Sequence, residues 1–134
     1  MVYTILQRLS EVMIAKRNTA RLLDRGAVEF GGSHYPYMVM MHTAFFLSMI
    51  AEYLATPSKE LHLLLLIAFV IAQAVRFWVM RVLGDRWTTR ILVIKGETLV
   101  ARGPYRYLSH PNYVVVAVEI LVLPLAFGLW ITAI

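Results

Sequence analysis

Three long apolar stretches constrain this chain more than any other feature. Tyr35–Ala55, Leu61–Leu83 and Tyr113–Ile134 are each near the ~20 residues that carry a helix across the hydrocarbon of a bilayer. Polar interruptions are few: His42, Ser48 and Glu52 in the first, His62, Gln73, Arg76 and Arg81 in the second, Glu119 in the third. A chain of 134 residues can bury a modest core in water. With 60% hydrophobic and 16% charged residues and a mean hydropathy of +0.67, however, it has too little polar surface to cover runs of this length. The fold class this predicts is an all-α integral membrane protein, a bundle of about four transmembrane helices.

Pro57-Ser58-Lys59-Glu60 joins the first two runs and is too short for anything but a tight reversal between antiparallel helices. Pro124 removes a backbone donor inside the last run and is expected to kink or split it. At the N-terminus, Val2, Ile5, Leu6, Leu9, Val12 and Met13 recur at helical spacing, while Arg8 and Glu11 lie three apart and can pair on another face. Two readings fit: a short or tilted span packed against its neighbours, or an amphipathic helix lying in the interface. A cleaved signal does not fit, because Arg8 and Glu11 interrupt the apolar stretch and Lys16 and Arg17 follow it. The expected organisation is one domain over 1–134, with helices at about 1–18, 35–55, 60–83 and 112–134 and a loop over about 84–111.

Charge supplies an orientation. Lys16, Arg17, Arg21 and Arg25 fall in the first connection, and Arg81, Arg86, Arg90, Lys95, Arg102 and Arg106 in the third, whereas the reversal between them holds only Lys59. Basic residues gather on the cytoplasmic side, so the first and third connections are expected inside and Pro57–Glu60 outside. In so apolar a chain the net charge of +5 points to a membrane surface and not to nucleic acid. The absence of cysteine excludes disulfides, thiolate metal sites and cysteine nucleophiles, and the four histidines have no metal-ligand spacing, so no metal is expected. Among ionisable residues inside the runs, His62, Gln73 and Arg76 are spaced to share a helical face, and Arg76 is placed to pair with Glu119. Glu52 is expected to reach water near the outer end, and His42 to make a helix–helix hydrogen bond.

The long inner loop is where chemistry is expected, since loops on a rigid scaffold carry function. Trp87–Ile94 and Thr98-Leu99-Val100 are β-prone runs around Lys95-Gly96-Glu97 and read as a small hairpin or extended lid. Arg102-Gly103-Pro104-Tyr105-Arg106 and Ser109-His110-Pro111-Asn112-Tyr113 follow. Pro111 disfavours helix at His110, which places His110 in extended backbone and Pro111 in the first turn of the last helix, where a missing N–H does no harm. Tyr105, Tyr107 and Tyr113 also suit an interfacial belt, the preferred reading for Tyr107.

Gly103-Pro104-Tyr105, then His110-Pro111-Asn112-Tyr113, then Glu119 and Pro124-Leu125, resemble the signature of the isoprenylcysteine carboxyl methyltransferase and phospholipid methyltransferase superfamily. Gly26–Gly31 and His34-Tyr35-Pro36 look like its bacterial branch, so the resemblance covers most of the chain. It implies a membrane enzyme in the bacterial cytoplasmic membrane, with a cytoplasmic loop that binds S-adenosylmethionine. By position, the resemblance implies that the cofactor is held by Glu97, Thr98, Leu99 and Val100, by Tyr105, by His110, Pro111, Asn112 and Tyr113, and less directly by Arg90. No catalytic acid or base is implied. Two departures stand out. Ser109 occupies a position where the family usually has a basic residue. The sequence also ends at Ile134, before the further helix, arginine and acidic pair of family members, which reads as C-terminal truncation.

The chemistry expected is direct methyl transfer to a lipophilic small-molecule acceptor reached from the bilayer. The acceptor would be a carboxylate, a hydroxyl or an amine, with the hydroxyl of a long-chain alkylpyrone or alkylresorcinol preferred. Two other classes compete. A membrane reductase with a related C-terminal motif would bind NADPH but need additional spans. A small proton-coupled transporter would use Glu52 or Glu119 and have no need of the Gly-Pro-Tyr and His-Pro-Asn-Tyr elements. The sequence does not fix the oligomeric state.

Overall fold

A computed structural model describes residues 2–57, 60–98 and 100–134. Met1, the Ser58-Lys59 centre of the expected reversal, and Leu99, an expected cofactor contact, lie outside the described residues. The chain is mostly helical: α1 Val2–Asp24, β1 Val28–Phe30, α2 Tyr35–Ala55, α3 Leu63–Leu83, β2 Ile91–Val93, α4 Pro111–Ala126 and α5 Trp130–Ala133. Short 3-10 turns cover Gly32–His34, Gly84–Arg86 and Gly103–Arg106. Two helical stretches, Gly32–Ala55 and Leu63–Arg86, are long and apolar enough to cross a membrane, and α4 is a shorter apolar helix. The chain divides into two compact units, one of 1–38 with 83–100 and the other of 39–82 with 101–134.

In the first unit, α1 runs to Asp24, beyond the expected end near residue 18, because no residue breaks it before Gly26. There Gly26 takes φ +86, its N–H bonds to Leu23 and the Ala27 N–H to Leu22. This paired closure satisfies the last carbonyls of a helix and needs a residue free to adopt positive φ. The helix buries a polar stripe, Thr4, Gln7, Glu11, Ala15, Asn18 and Leu22, and leaves Val2, Tyr3, Leu6, Leu9 and Met13 exposed. Inside that stripe Arg8 meets Glu11 at 3.1 Å and Gln7 donates to Glu11 at 3.1 Å. Further along, Asn18 donates to the carbonyls of Trp87 at 2.8 Å and Gly84 at 3.3 Å, tying α1 to the turn after α3.

Among the described residues, the strand pairing formed is not between the two runs around Lys95-Gly96-Glu97, the second of which includes Leu99, outside those residues. The turn itself exists, with Gly96 at φ +88 and the Glu97 N–H bonded to Ile94. β2, however, pairs antiparallel with β1, in the register Val28↔Val93, Glu29↔Leu92 and Phe30↔Ile91. The distant pairing aligns Val28 and Phe30 with Val93 and Ile91, β-branched and aromatic residues that favour strands, and sets Arg90 against Glu29 at 3.2 Å. Thr98 is drawn elsewhere, its carbonyl accepting from Arg86 at 2.7 Å.

In the second unit the core is small: Met49 of α2, Phe69, Ala72 and Val79 of α3, Val115, Leu123 and Ala126 of α4, and Leu129. Met49 is the one buried residue of α2, and large apolar side chains such as Met40, Leu47, Leu54, Leu64, Val70 and Ile71 stay exposed. Water does not tolerate exposed apolar surface on this scale, and hydrocarbon does. The last run is split, as expected, into α4 and α5, but the break falls after Ala126 and not at Pro124 itself, through which α4 continues. Gly128 is what ends the helix. It takes φ +68, its N–H bonds to Leu125 and the Leu129 N–H to Pro124, the same closure as at Gly26.

Candidate functional site

The second unit carries the Gly-Pro-Tyr turn and the His-Pro-Asn-Tyr helix start. Gly103 opens the turn at φ +61, and a β-carbon there would stand 2.7 Å from Val82 Cγ2 and 3.3 Å from Trp78 Nε1. Only glycine lets the backbone lie this close to α3 in that conformation. Pro104 is buried and Tyr105 half-buried. Burial, seconded by the nearby Tyr113 hydroxyl, raises the Tyr105 pKa above the usual tyrosine value, so the phenol stays protonated well past neutrality.

Five residues after Tyr105, His110 has φ −135 and ψ +64 and sits just outside α4, whose first residue is Pro111. The fixed φ of proline suits a first helical position, and Pro111 is fully buried, which anchors the turn. His110 and Tyr113 project beside one another, their rings stacked with centroids 5.2 Å apart and planes 29° from parallel. Between them in sequence, Asn112 buries its side-chain oxygen with no hydrogen-bond partner. An unmet buried acceptor costs about 1–3 kcal/mol, so this oxygen, like the Nε2 of His62, can take a partner from outside the chain. Tyr107 and Ser109 are exposed.

The other expected contacts lie in the first unit. Arg90 pairs with Glu29 and stacks its guanidinium over the Tyr35 ring, 4.9 Å from the centroid. Glu97 is gripped between Arg25 and Arg86, the latter at 2.8 Å. Their charges are engaged locally, as are Thr98's carbonyl with Arg86 and Arg21 with Asp85 at 3.5 Å.

The ionisable residues of the apolar runs make separate contacts within the second unit. Arg76 meets Glu119 at 3.4 Å with side chains only 4% and 3% exposed, and Gln73 donates to the same carboxylate at 2.6 Å. His62 is not on that face. It precedes α3, 3.6 Å from Glu60 and edge-on to Trp130. Glu52 caps α5, accepting from the N–H groups of Ile131 at 2.9 Å and Thr132 at 2.7 Å and from the Thr132 hydroxyl at 2.6 Å. Sequence reasoning missed this role, since a four-residue helix seventy-odd positions away leaves no local signal at Glu52. Among the described residues no group of three or more potential ligands could hold a metal ion.

Exposed apolar helices and a buried ion pair between α3 and α4 mark a helical membrane protein, in which a proline-led aromatic cluster opens α4. The family model described as the isoprenylcysteine carboxyl methyltransferase (ICMT) family matches residues 63–134. The chain belongs to this family, whose membership implies a methyltransferase activity. It is similar to an uncharacterized protein of Bacillus subtilis, YpbQ, with 46% identity over 130 residues, covering 96% of this chain and 77% of that protein. It is also similar to an uncharacterized protein of Haemophilus influenzae, with 26% identity over 110 residues, covering 79% of this chain and 63% of that protein. No solved structure matches.

Proposed function

We propose that the chain transfers a methyl group from S-adenosylmethionine to a lipophilic acceptor, a carboxylate, hydroxyl or amine, at the membrane. The observation that carries this is the buried, unpartnered Asn112 oxygen beside the stacked His110 and Tyr113 rings, in a family of methyltransferases. The residues fit such a cofactor. Asn112 accepts from an amine or hydroxyl, the two rings offer flat amphipathic faces, protonated Tyr105 offers a donor, and the start of α4 favours a carboxylate. Pro111 holds these groups in place. S-adenosylmethionine, when bound, supplies a methyl group already activated on a sulfonium, so the chain has to provide alignment more than acid–base machinery.

The same proposal takes 1–134 as one domain of about four membrane helices in the bacterial cytoplasmic membrane, with the basic connections facing the cytoplasm. For α1 the support is its inverted polarity: polar stripe buried, apolar side exposed. An interfacial helix would turn its polar side outward. The transporter alternative is weakened because Glu52 and Glu119 are both engaged by the chain's own donors.

Calorimetric titration of detergent-purified protein tests the cofactor. S-adenosylmethionine and S-adenosylhomocysteine are expected to bind, and Asn112→Ala and His110→Ala to weaken both by about tenfold, the loss of one buried hydrogen bond. No affinity for either, or affinity for NADPH in their place, refutes the proposal.

A further inference from the structure

The antiparallel pair β1–β2 is two-faced, and its apolar face is the uncovered one. Side chains alternate across a strand, so Val28 and Phe30 share a face with their partners Val93 and Ile91. These four are each 50–57% exposed, whereas Glu29 and Leu92, on the opposite face, are half-buried. A lone two-stranded ribbon is marginally stable in water, so an open apolar face on it calls for a cover. What the cover is follows from where the strands are tied. The apolar helical stretch Gly32–Ala55 begins two residues after Phe30, and the stretch Leu63–Arg86 ends five residues before Ile91. Extended chain spans at most about 3.6 Å per residue, so the Phe30–Ile91 end of the ribbon is held within about 7 Å of one crossing and about 18 Å of the other. Tyr37, 69% exposed in the first turn of α2, marks the same level, because tyrosine gathers where hydrocarbon meets headgroups. The charge around the patch suits an anionic surface. The unit of 1–38 and 83–100 carries eight Lys and Arg against five Asp and Glu. Lys95, two residues past Val93, is exposed and forms no ion pair among the described residues.

We propose that the face formed by Val28, Phe30, Ile91 and Val93 lies in the boundary between headgroups and acyl chains of an anionic bilayer, with Lys95 set against the headgroups. The ribbon is a shallow anchor and not a further crossing, since three-residue strands reach about 10 Å against a hydrocarbon thickness of about 30 Å. A second copy of the chain fits the patch less well, because it would bring the same positive excess against itself. The anchor rests on the two membrane crossings and is independent of methyl transfer. It adds a lipid contact outside the spanning helices, made by strands whose other face carries Glu29, the partner of Arg90.

Spin labelling tests this on the full chain, which has no cysteine of its own. Val28→Cys, Val93→Cys and Leu47→Cys, all at exposed positions, each carry a nitroxide in phosphatidylglycerol nanodiscs. Relaxation by oxygen is compared with relaxation by a water-soluble nickel complex to give depth. The labels at 28 and 93 are expected about 5–10 Å into the boundary, the depth of an interfacial apolar face. Lys95→Glu is expected to make both shallower in phosphatidylglycerol and to leave them unchanged in phosphatidylcholine. Open access of nickel to both labels overturns the proposal. Labels immobilised and shielded from both relaxants also overturn it, because they mark a protein cover, whether a second copy or another part of the chain. Depths that ignore both Lys95→Glu and the lipid charge overturn the anionic surface. The Leu47 label, within the first crossing, separates the two levels of the reading. Immersion there without immersion at 28 and 93 counts against the ribbon alone, and exposure to nickel there counts against the crossing itself.

Discussion

Replacing Glu119 by leucine removes the acidic partner of Arg76 while leaving the guanidinium buried. The two charges stand 3.4 Å apart with side chains 4% and 3% exposed. At an effective dielectric of about 20 their attraction is about 5 kcal/mol. Desolvation offsets most of that when the pair is compared with an apolar pair of similar volume, but removing one partner forfeits the attraction and keeps the other's desolvation, a loss of about 3–5 kcal/mol. The substitution also strips the acceptor from Gln73, bonded to Glu119 at 2.6 Å. Glu119→Leu is therefore expected to destabilise by at least about 3 kcal/mol, while the double variant Arg76→Met/Glu119→Leu, which strands no guanidinium but still removes this acceptor from Gln73, costs less than the single variant, about 1–2 kcal/mol. Reversible unfolding in mixed micelles, followed by circular dichroism against denaturing-detergent fraction, gives both numbers. A single variant costing under 1 kcal/mol, or a double variant costing the sum of the two singles, refutes the reasoning, because either means that the pair is not coupled across a low-dielectric interior.

Gly103→Ala forces a β-carbon into Val82 and Trp78 at positive φ; it is expected to cost about 1–2 kcal/mol from backbone conformation alone and to shift the Trp78 emission, read on a variant lacking the other tryptophans. Glu52→Gln weakens the acceptor that holds the start of α5; faster hydrogen exchange at the Ile131 and Thr132 amides is expected, with the rest of α2 unchanged. Tyr105 has its pKa raised by burial and then by Tyr113. Its contribution to stability is thus fully present below the ordinary tyrosine value near ~10 and is lost as pH rises through the higher folded value. Absorbance at the tyrosinate band should show one late-titrating phenol that disappears in Tyr105→Phe, and an early titration there counts against the burial.

The limits of α2, the position of Pro111 at the start of α4, and the Arg76–Glu119 pair were all legible in the sequence, because each follows from a local rule: run length, the φ of proline, or rarity of charge in an apolar run; the extended backbone expected at His110 was not found, its ψ being +64. What escaped was set by distant partners or by the surrounding medium. Periodicity in α1 marks two faces, yet says nothing about which one the rest of the chain covers, and the structure covers the polar one. The strand Ile91–Val93 pairs with Val28–Phe30, far upstream in the chain, a partner that local propensity does not encode. Pro124 looked like the breaker, but a helix ends most readily where its last carbonyls find donors, and Gly128 supplies that geometry. Of the candidate site, the residue types around His110–Tyr113 were legible. The approach of Gly103 to Trp78 was not, since it joins positions on different elements.

The polarity of α1 bears on biogenesis. A segment that turns Thr4, Gln7, Glu11 and Asn18 to one side is a poor solitary passenger for the insertion machinery, which admits a helix largely on its own greasiness. On the placement proposed for it, α1 leaves the ribosome first yet gains a comfortable place in the bilayer only after later segments arrive to shelter its hydrophilic flank. The order of synthesis and the order of assembly would then run in opposite directions.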